Sequence, residues 1–188
     1  MAGLLNSSVG APAQSSSQGP LRDPTLQKIE ASVETRLAPG IRSLYTSCVN
    51  AGMQAMFGPQ TGPRVMARLK SSANVTNDIT AGVANIFATI FNQIASKMNP
   101  QQRQAFLPAL IAASTTLTCH ALDTAEKLGK VQVTADLAAI TIHNASMACL
   151  QKLGIGPAQI QQMQQLQQQN GAGAQPTPAA QAAAQPGA

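Results

Sequence analysis

Apolar positions recur with helical spacing along the chain from about residue 23 to residue 154. Apolar side chains three or four residues apart lie on one face of a helix. Two runs show this spacing well: Leu26, Ile29, Val33 and Leu37, and later Ile79, Val83, Ile86, Phe87, Ile90, Phe91 and Ile94. The pattern predicts an all-α fold in which six to seven helices form a bundle or an orthogonal array.

Capping residues, Pro and Gly mark the predicted helix ends in the first third of the chain. Asp23 is a suitable N-cap, Pro24 suits the first helical position, and Pro39-Gly40 ends this helix. A second amphipathic helix follows from Ile41. The segment GPQTGP, residues 58–63, predicts a turn before a short basic helix that starts at Pro63.

Three long helices are predicted after this turn. The first begins near Asn77 or Asp78 and ends at Asn99-Pro100. The second runs from about residue 101 to 127, with Gly129 after its end. The third is capped by Thr134 and closes at Gly154, and its predicted core positions are Leu137, Ile140, Met147 and Leu150.

Both ends of the chain differ in composition from this helical part. Residues 1–22 are rich in Ser, Gly, Gln and Pro, and residues 170–188 are nearly all Ala, Gln, Pro and Gly. Such segments bury too little apolar surface to offset the entropy lost on ordering, so we expect disordered or partner-ordered tails. The predicted organisation is therefore a tail over 1–22, a helical domain over 23–154, a Gln-rich helix over 155–169 and a tail over 170–188.

Composition shapes the expected core and the expected partners. The chain is 44% hydrophobic, yet it has no Trp, one Tyr and four Phe, so the core must be built from aliphatic side chains and Met. The net charge is +5, but the basic residues are spread out. Arg64, Arg68 and Lys70 form the best local cluster, which indicates either a solvated helix face or a weak contact with phosphate or an acidic partner. Nucleic-acid binding has only this cluster to support it.

The chain has three cysteines, Cys48, Cys119 and Cys149, whose spacing fits no zinc element. They are expected to be reduced and buried. The N-terminus lacks the basic and apolar regions of a signal peptide, which favours the cytoplasm or a particle assembled there. The long apolar runs 79–96 and 105–120 carry Asn, Gln, Ser, Thr and Pro, so they are predicted to be a central core pair, with a membrane-inserting hairpin as the less favoured alternative.

The segment TCHALDTAEKLGK, residues 118–130, is the densest in side chains capable of chemistry. It contains Cys119, His120, Asp123 and Glu126, residue types that bind metals or catalyse reactions. At 100° per residue, however, His120, Asp123 and Lys127 fall opposite the apolar face of their helix. That placement predicts an outward polar ladder.

An enzyme built on His120, Asp123 and Glu126 is therefore the least favoured class. The chain offers no matching ligand pair on a second helix, and His143, the other histidine, could join a shared metal only if two polar faces met. We expect no catalytic, metal or cofactor residues. His120, Asp123 and Lys127 are instead a candidate partner interface.

The Gln-rich helix offers a second candidate interface. Three apolar side chains, Ile160, Met163 and Leu166, project from a surface that is otherwise Gln. They suit a frayed terminal helix or a segment that folds on a partner.

Three segments carry a family resemblance: AGMQAMFG (51–58), DITAGVANIFATIF (78–91) and LTCHALDTAEKLGKVQVTADLA (117–138). In this order they resemble small helical proteins encoded near the portal and capsid genes of tailed bacteriophages. The resemblance spans roughly residues 26–150 and brings no catalytic residues. It implies a multi-copy virion structural or assembly protein that binds itself and portal or capsid proteins. A membrane-active protein of genome delivery and an assembly chaperone or scaffold are the alternatives.

Overall fold

The computed structural model describes residues 21–156, apart from some side chains between residues 95 and 105. The Gln-rich helix, most of both predicted tails, and with them Ile160, Met163 and Leu166, lie outside the described residues. The contacts divide the chain after Leu153, so the helical unit described below ends there.

Residues 21–156 form six α-helices and one 3-10 turn, with no strand in this part of the chain, which confirms the all-α prediction. The helices are α1 (Pro24–Arg36), α2 (Arg42–Phe57), α3 (Gly62–Ser71), α4 (Val75–Ala95), α5 (Pro100–Lys127) and α6 (Ala135–Lys152), and the 3-10 turn Pro39–Ile41 joins α1 to α2.

Several predicted helix ends are confirmed by local hydrogen bonds. Asp23 caps α1 by accepting from the backbone N–H groups of Thr25 at 2.8 Å and Leu26 at 3.0 Å. Thr134 caps α6 in the same way. Gly129 and Gly154, after α5 and α6, have φ angles of 67° and 74°, the left-handed conformation that glycine adopts without strain.

The predicted start of α4 is close to the observed one, whereas its predicted end was wrong. The helix begins at Val75, because the side chain of Asn74 accepts from the backbone N–H of Asn77 and acts as the cap. It ends at Ala95, before the predicted stop. Pro100 begins α5 instead of ending α4, since a proline at the first helical position has no N–H to leave unpaired.

Helix α5 is the centre of the fold. It packs against α1, α2, α4 and α6. From Ala113 to Ala125, every residue is buried except Thr115 and His120, which are partly exposed. Its fully buried side chains include Phe106, Leu110, Leu117 and Leu122. A helix in this position must carry, on nearly every side, residues that can be buried without leaving a polar group unpaired.

The polar side chains of α5 satisfy that requirement by bonding within their own helix. Ser114, Thr118 and Thr124 each donate to a carbonyl three or four residues earlier, at 2.7–2.8 Å. Thr116 shares a buried hydrogen bond of 2.9 Å with the hydroxyl of Tyr45 on α2. Among the described side chains, no buried nitrogen or oxygen lacks a hydrogen-bond partner.

The predicted core face of α6 was partly wrong. Leu150 is buried, but Ile140 is 60% exposed. The face that meets the core consists of small residues at helical spacing: Ala138, Thr141, Ala145 and Cys149. Small side chains let α6 lie close to α4 and α5, and this register turns Ile140 outward.

Two glycines inside helices have opposite surroundings. A Cβ added at Gly52 of α2 would lie 3.1 Å from both Leu117 Cδ2 and Phe87 Cζ. Both neighbours are fully buried, so neither can move aside easily. A Cβ added at Gly82 of α4 would meet only Met56 Cε, at 3.9 Å. Close packing therefore requires glycine at Gly52 and does not require it at Gly82.

We expect Gly82→Ala to be more stable than Gly52→Ala by about 1–3 kcal/mol, the typical cost of overpacking a core. Both changes gain about 1 kcal/mol of helix propensity, so this gain cancels in the comparison. Urea unfolding of the two variants measures the difference. Equal stabilities would show that α2 can move away from α4 and α5 to admit the methyl group.

Candidate functional site

The α5 cluster, defined as Cys119, His120, Asp123 and Glu126, does not form an outward surface. Asp123 is only 2% exposed, which contradicts the expectation that it points away from the core. The start of α1 covers it. Its Oδ1 accepts from the backbone N–H of Arg22 at 2.9 Å and of Asp23 at 3.4 Å. Asp123 thus holds the N-terminal end of α1 against α5.

The charge of Asp123 is balanced by Lys127, one turn later on α5, whose ammonium contacts Oδ2. Burial alone would raise the pKa of this carboxyl, because it disfavours the charged form. The hydrogen bonds from Lys127, Arg22 and Asp23 outweigh burial and hold the pKa below its ordinary value. Asp123 is therefore a structural carboxylate that stays ionised.

The other two polar members of the cluster also bind parts of the same chain. His120 Nε2 lies 3.2 Å from Glu30 Oε1 on α1. Glu126 Oε1 accepts from the backbone N–H of Val133 at 2.8 Å, in the loop before α6. The cluster therefore connects α5 to α1 and to this loop. Of the predicted interface residues on α5, only Lys127 is exposed; His120 is partly exposed and Asp123 is buried.

The three thiols are buried, as expected. Burial raises the pKa of Cys48 and of Cys149 to about 11. Burial, together with the nearby Glu30 carboxylate, raises the pKa of Cys119 to about 12. The thiolate is the form that attacks substrates and binds metals, so these cysteines behave as apolar side chains.

The sequence analysis missed the role of the segment just before α1. Leu21 is 3% exposed, and its carbonyl accepts from Gln27 Nε2 at 2.6 Å. Residues 21 and 22, which we assigned to the N-terminal tail, thus contact the core. The available signal was Leu21 itself, an apolar residue two positions before the cap Asp23.

The basic cluster lies on α3 beside an open cavity. Arg68 donates to Asp78 on α4 at 2.8 Å. A hydrogen bond from Ser72, followed by the one from Arg68, holds the pKa of Asp78 below its ordinary value. Arg64, one turn earlier, has no acidic partner within residues 21–156. Both arginines border a cavity of about 290 Å³ between α2, α3 and α4. Lys70 is exposed on α3 and does not line the cavity.

A second surface feature is the lack of charge along the middle of α4 and of α6, outside their first and last turns. We call the exposed residues between 79 and 96 of α4 and between 137 and 150 of α6 the uncharged strips. Their members are small, amide or hydroxyl residues with one isoleucine and one histidine: Ala81, Asn85, Thr89, Asn92, Gln93 and Ser96, and Ala139, Ile140, His143 and Asn144. Ile140 is the large apolar side chain exposed there.

Over residues 21–156, no group of three or more His, Cys, Asp or Glu side chains is arranged to hold a metal ion. No helix in the described part of the chain has the length and apolar character needed to cross a membrane. Comparison of the chain with protein-family models, curated proteins and solved structures yields no match.

We expect Asp123→Ala to lower the free energy of unfolding by about 2–4 kcal/mol. The change leaves two backbone N–H groups and the Lys127 ammonium without their acceptor. Asp123→Asn keeps an oxygen for the N–H groups and should cost less. Urea unfolding of both variants at neutral pH provides the measurement, and an Ala variant as stable as the parent would contradict this role.

Acid should weaken the same contact. Because the folded-state pKa of Asp123 lies below the unfolded value near 3.8, its contribution is present above that pH and is lost as the pH falls through the folded pKa. We therefore expect the free energy of unfolding to decrease below about pH 4, and to decrease less steeply in Asp123→Asn. Parallel slopes for parent and variant would assign the acid effect to other carboxylates.

Proposed function

We propose that this protein is a non-enzymatic structural or assembly protein of a bacteriophage virion, present in several copies. The observation that supports this most is the pair of uncharged strips on α4 and α6. The centre of a subunit interface is depleted of charged residues, whereas solvent-facing helices normally carry many. The exposed Ile140 suits contact with a second protein surface.

The α5 cluster also supports a structural role, because its side chains are engaged within the fold. His120, Asp123 and Glu126 each bind another part of the fold, and the thiol of Cys119 is buried. The polar side chains that could have bound a metal or catalysed a reaction thus hold the helices together. A building block that assembles in many copies benefits from such a fixed interior.

The resemblance to portal- and capsid-associated proteins supplies the proposed setting. The protein would assemble with itself and dock near the portal vertex or inside the capsid through helical faces and tails. It would be made in the host cytoplasm and end in the virion.

We expect native mass spectrometry of the full chain to show a discrete oligomer, either alone or after addition of purified particles of the virus that encodes it. Ile140→Glu places a charge in the middle of the α6 strip and should reduce assembly at least tenfold, about 1.4 kcal/mol of interface energy. Gln132→Glu adds the same charge at an exposed position of the α5–α6 loop and should leave assembly unchanged.

The outcomes separate the candidate roles. A protein that is missing from purified particles but binds their assembly intermediates would be a chaperone or scaffold. A chain that stays monomeric under all conditions and binds neither particles nor intermediates would overturn the proposal. Equal loss in both variants would show that charge in general, not the α6 strip, controls assembly.

A further inference from the structure

We propose that the cavity between α2, α3 and α4 is a binding site for an amphipathic carboxylate, with its alkyl chain inside and its anionic end at Arg64. This inference does not depend on the virion role. It rests on the lining of the cavity, on Gly82 and on the charges at the rim.

The inner surface of the cavity is apolar. Met56 from α2, Leu69 from α3 and Ile79 from α4 line it together with Val65, Ile86 and Ala121. Polar side chains contribute only from the α3 side and the start of α4: Thr61, Arg64, Arg68 and Asp78. This division into an apolar interior and a polar rim suits a ligand with one apolar end and one charged end.

Gly82 gives an independent reason to regard the cavity as a site. Glycine inside a helix destabilises it relative to alanine, and close packing does not require it here, because an added Cβ would meet only Met56 Cε at 3.9 Å. Gly82 lines the cavity. A residue that destabilises a helix without a packing reason is expected where function needs the space.

The charges at the rim favour an anion. The only acid lining the cavity, Asp78, is already paired with Arg68 at 2.8 Å. Arg64 has no acidic partner within the described residues. A carboxylate at the rim would therefore meet a net positive charge, and the guanidinium of Arg64 can bind it with two parallel hydrogen bonds.

The size of the cavity limits the length of the chain. A volume of about 290 Å³ holds roughly ten groups of about 30 Å³, the share of a water molecule in the liquid and close to that of a methylene. Because one side is open, the alkyl part should be shorter than this bound, roughly six to nine carbon atoms.

Isothermal titration calorimetry of the full chain with hexanoate, octanoate, decanoate and dodecanoate tests the site. Each methylene buried should tighten binding about four-fold until the cavity is full, after which affinity should level off. Octan-1-ol should bind about three- to five-fold more weakly than octanoate, the loss expected for a partly exposed charge contact. Octyltrimethylammonium should bind more weakly still.

Three variants assign any binding to this cavity. Gly82→Leu places four carbon atoms in the cavity, about 120 Å³ at about 30 Å³ each, and should lower octanoate affinity at least tenfold. Arg64→Gln should reduce octanoate affinity to that of octan-1-ol. Lys70→Gln removes a positive charge from α3 outside the lining and should change octanoate affinity less than two-fold.

Unchanged octanoate binding in folded Gly82→Leu would overturn the proposal, as would equal affinity for octanoate and octyltrimethylammonium. No binding by the parent chain would overturn it too. If Gly82→Leu does not fold, Gly82→Ala decides, since its methyl group enters the cavity with no close contact. It should lower the chain length at which affinity levels off, and an unchanged plateau would count against the site.

Discussion

The fold depends on hydrogen bonds for every polar group that α5 buries. Helix α5 contains one Ser, four Thr and four charged residues, yet it lies at the centre of the fold. Its hydroxyls bond to their own helix, and Asp123 accepts two N–H groups from the start of α1. Leaving a buried carboxylate unpaired costs several kcal/mol, so this acceptor holds α1 against α5 in addition to their apolar contacts.

The second constraint is the small size of the core side chains. With no Trp and four Phe, the helices gain contact by close approach rather than by large interlocking side chains. Gly52 lets α2 reach Leu117 and Phe87, and the Ala, Thr and Cys face of α6 serves the same end. A close-packed interior of this kind has little room for larger side chains.

Helix ends could be predicted from the sequence where their signals are local. Asp23, Thr134, Gly129 and Gly154 act within one turn of their own position, so the residue type reveals the structure. Helix faces could not be predicted as well. The partners of Asp123 lie 100 and 101 residues away, and periodicity contains no information on contacts at that separation. Periodicity predicts Ile140 in the core because large apolar residues usually lie there. In the structure the smaller residues Ala138 and Thr141 face the core instead, since they allow closer packing.

This difference explains why chemically dense residues were a poor guide to the site. In the α5 cluster, the acids and the histidine are close in sequence because one helix contacts several neighbours. Each of them already has a hydrogen-bond partner within the fold. The cavity beside α3 shows the opposite pattern, since its distinguishing residue, Gly82, has no functional group at all. A glycine that close packing does not require leaves space that a ligand can occupy. A guanidinium without an acid beside it leaves a positive charge that the same ligand can neutralise. Where these two occur together, as at Gly82 and Arg64, the structure is incomplete in shape and in charge at the same place.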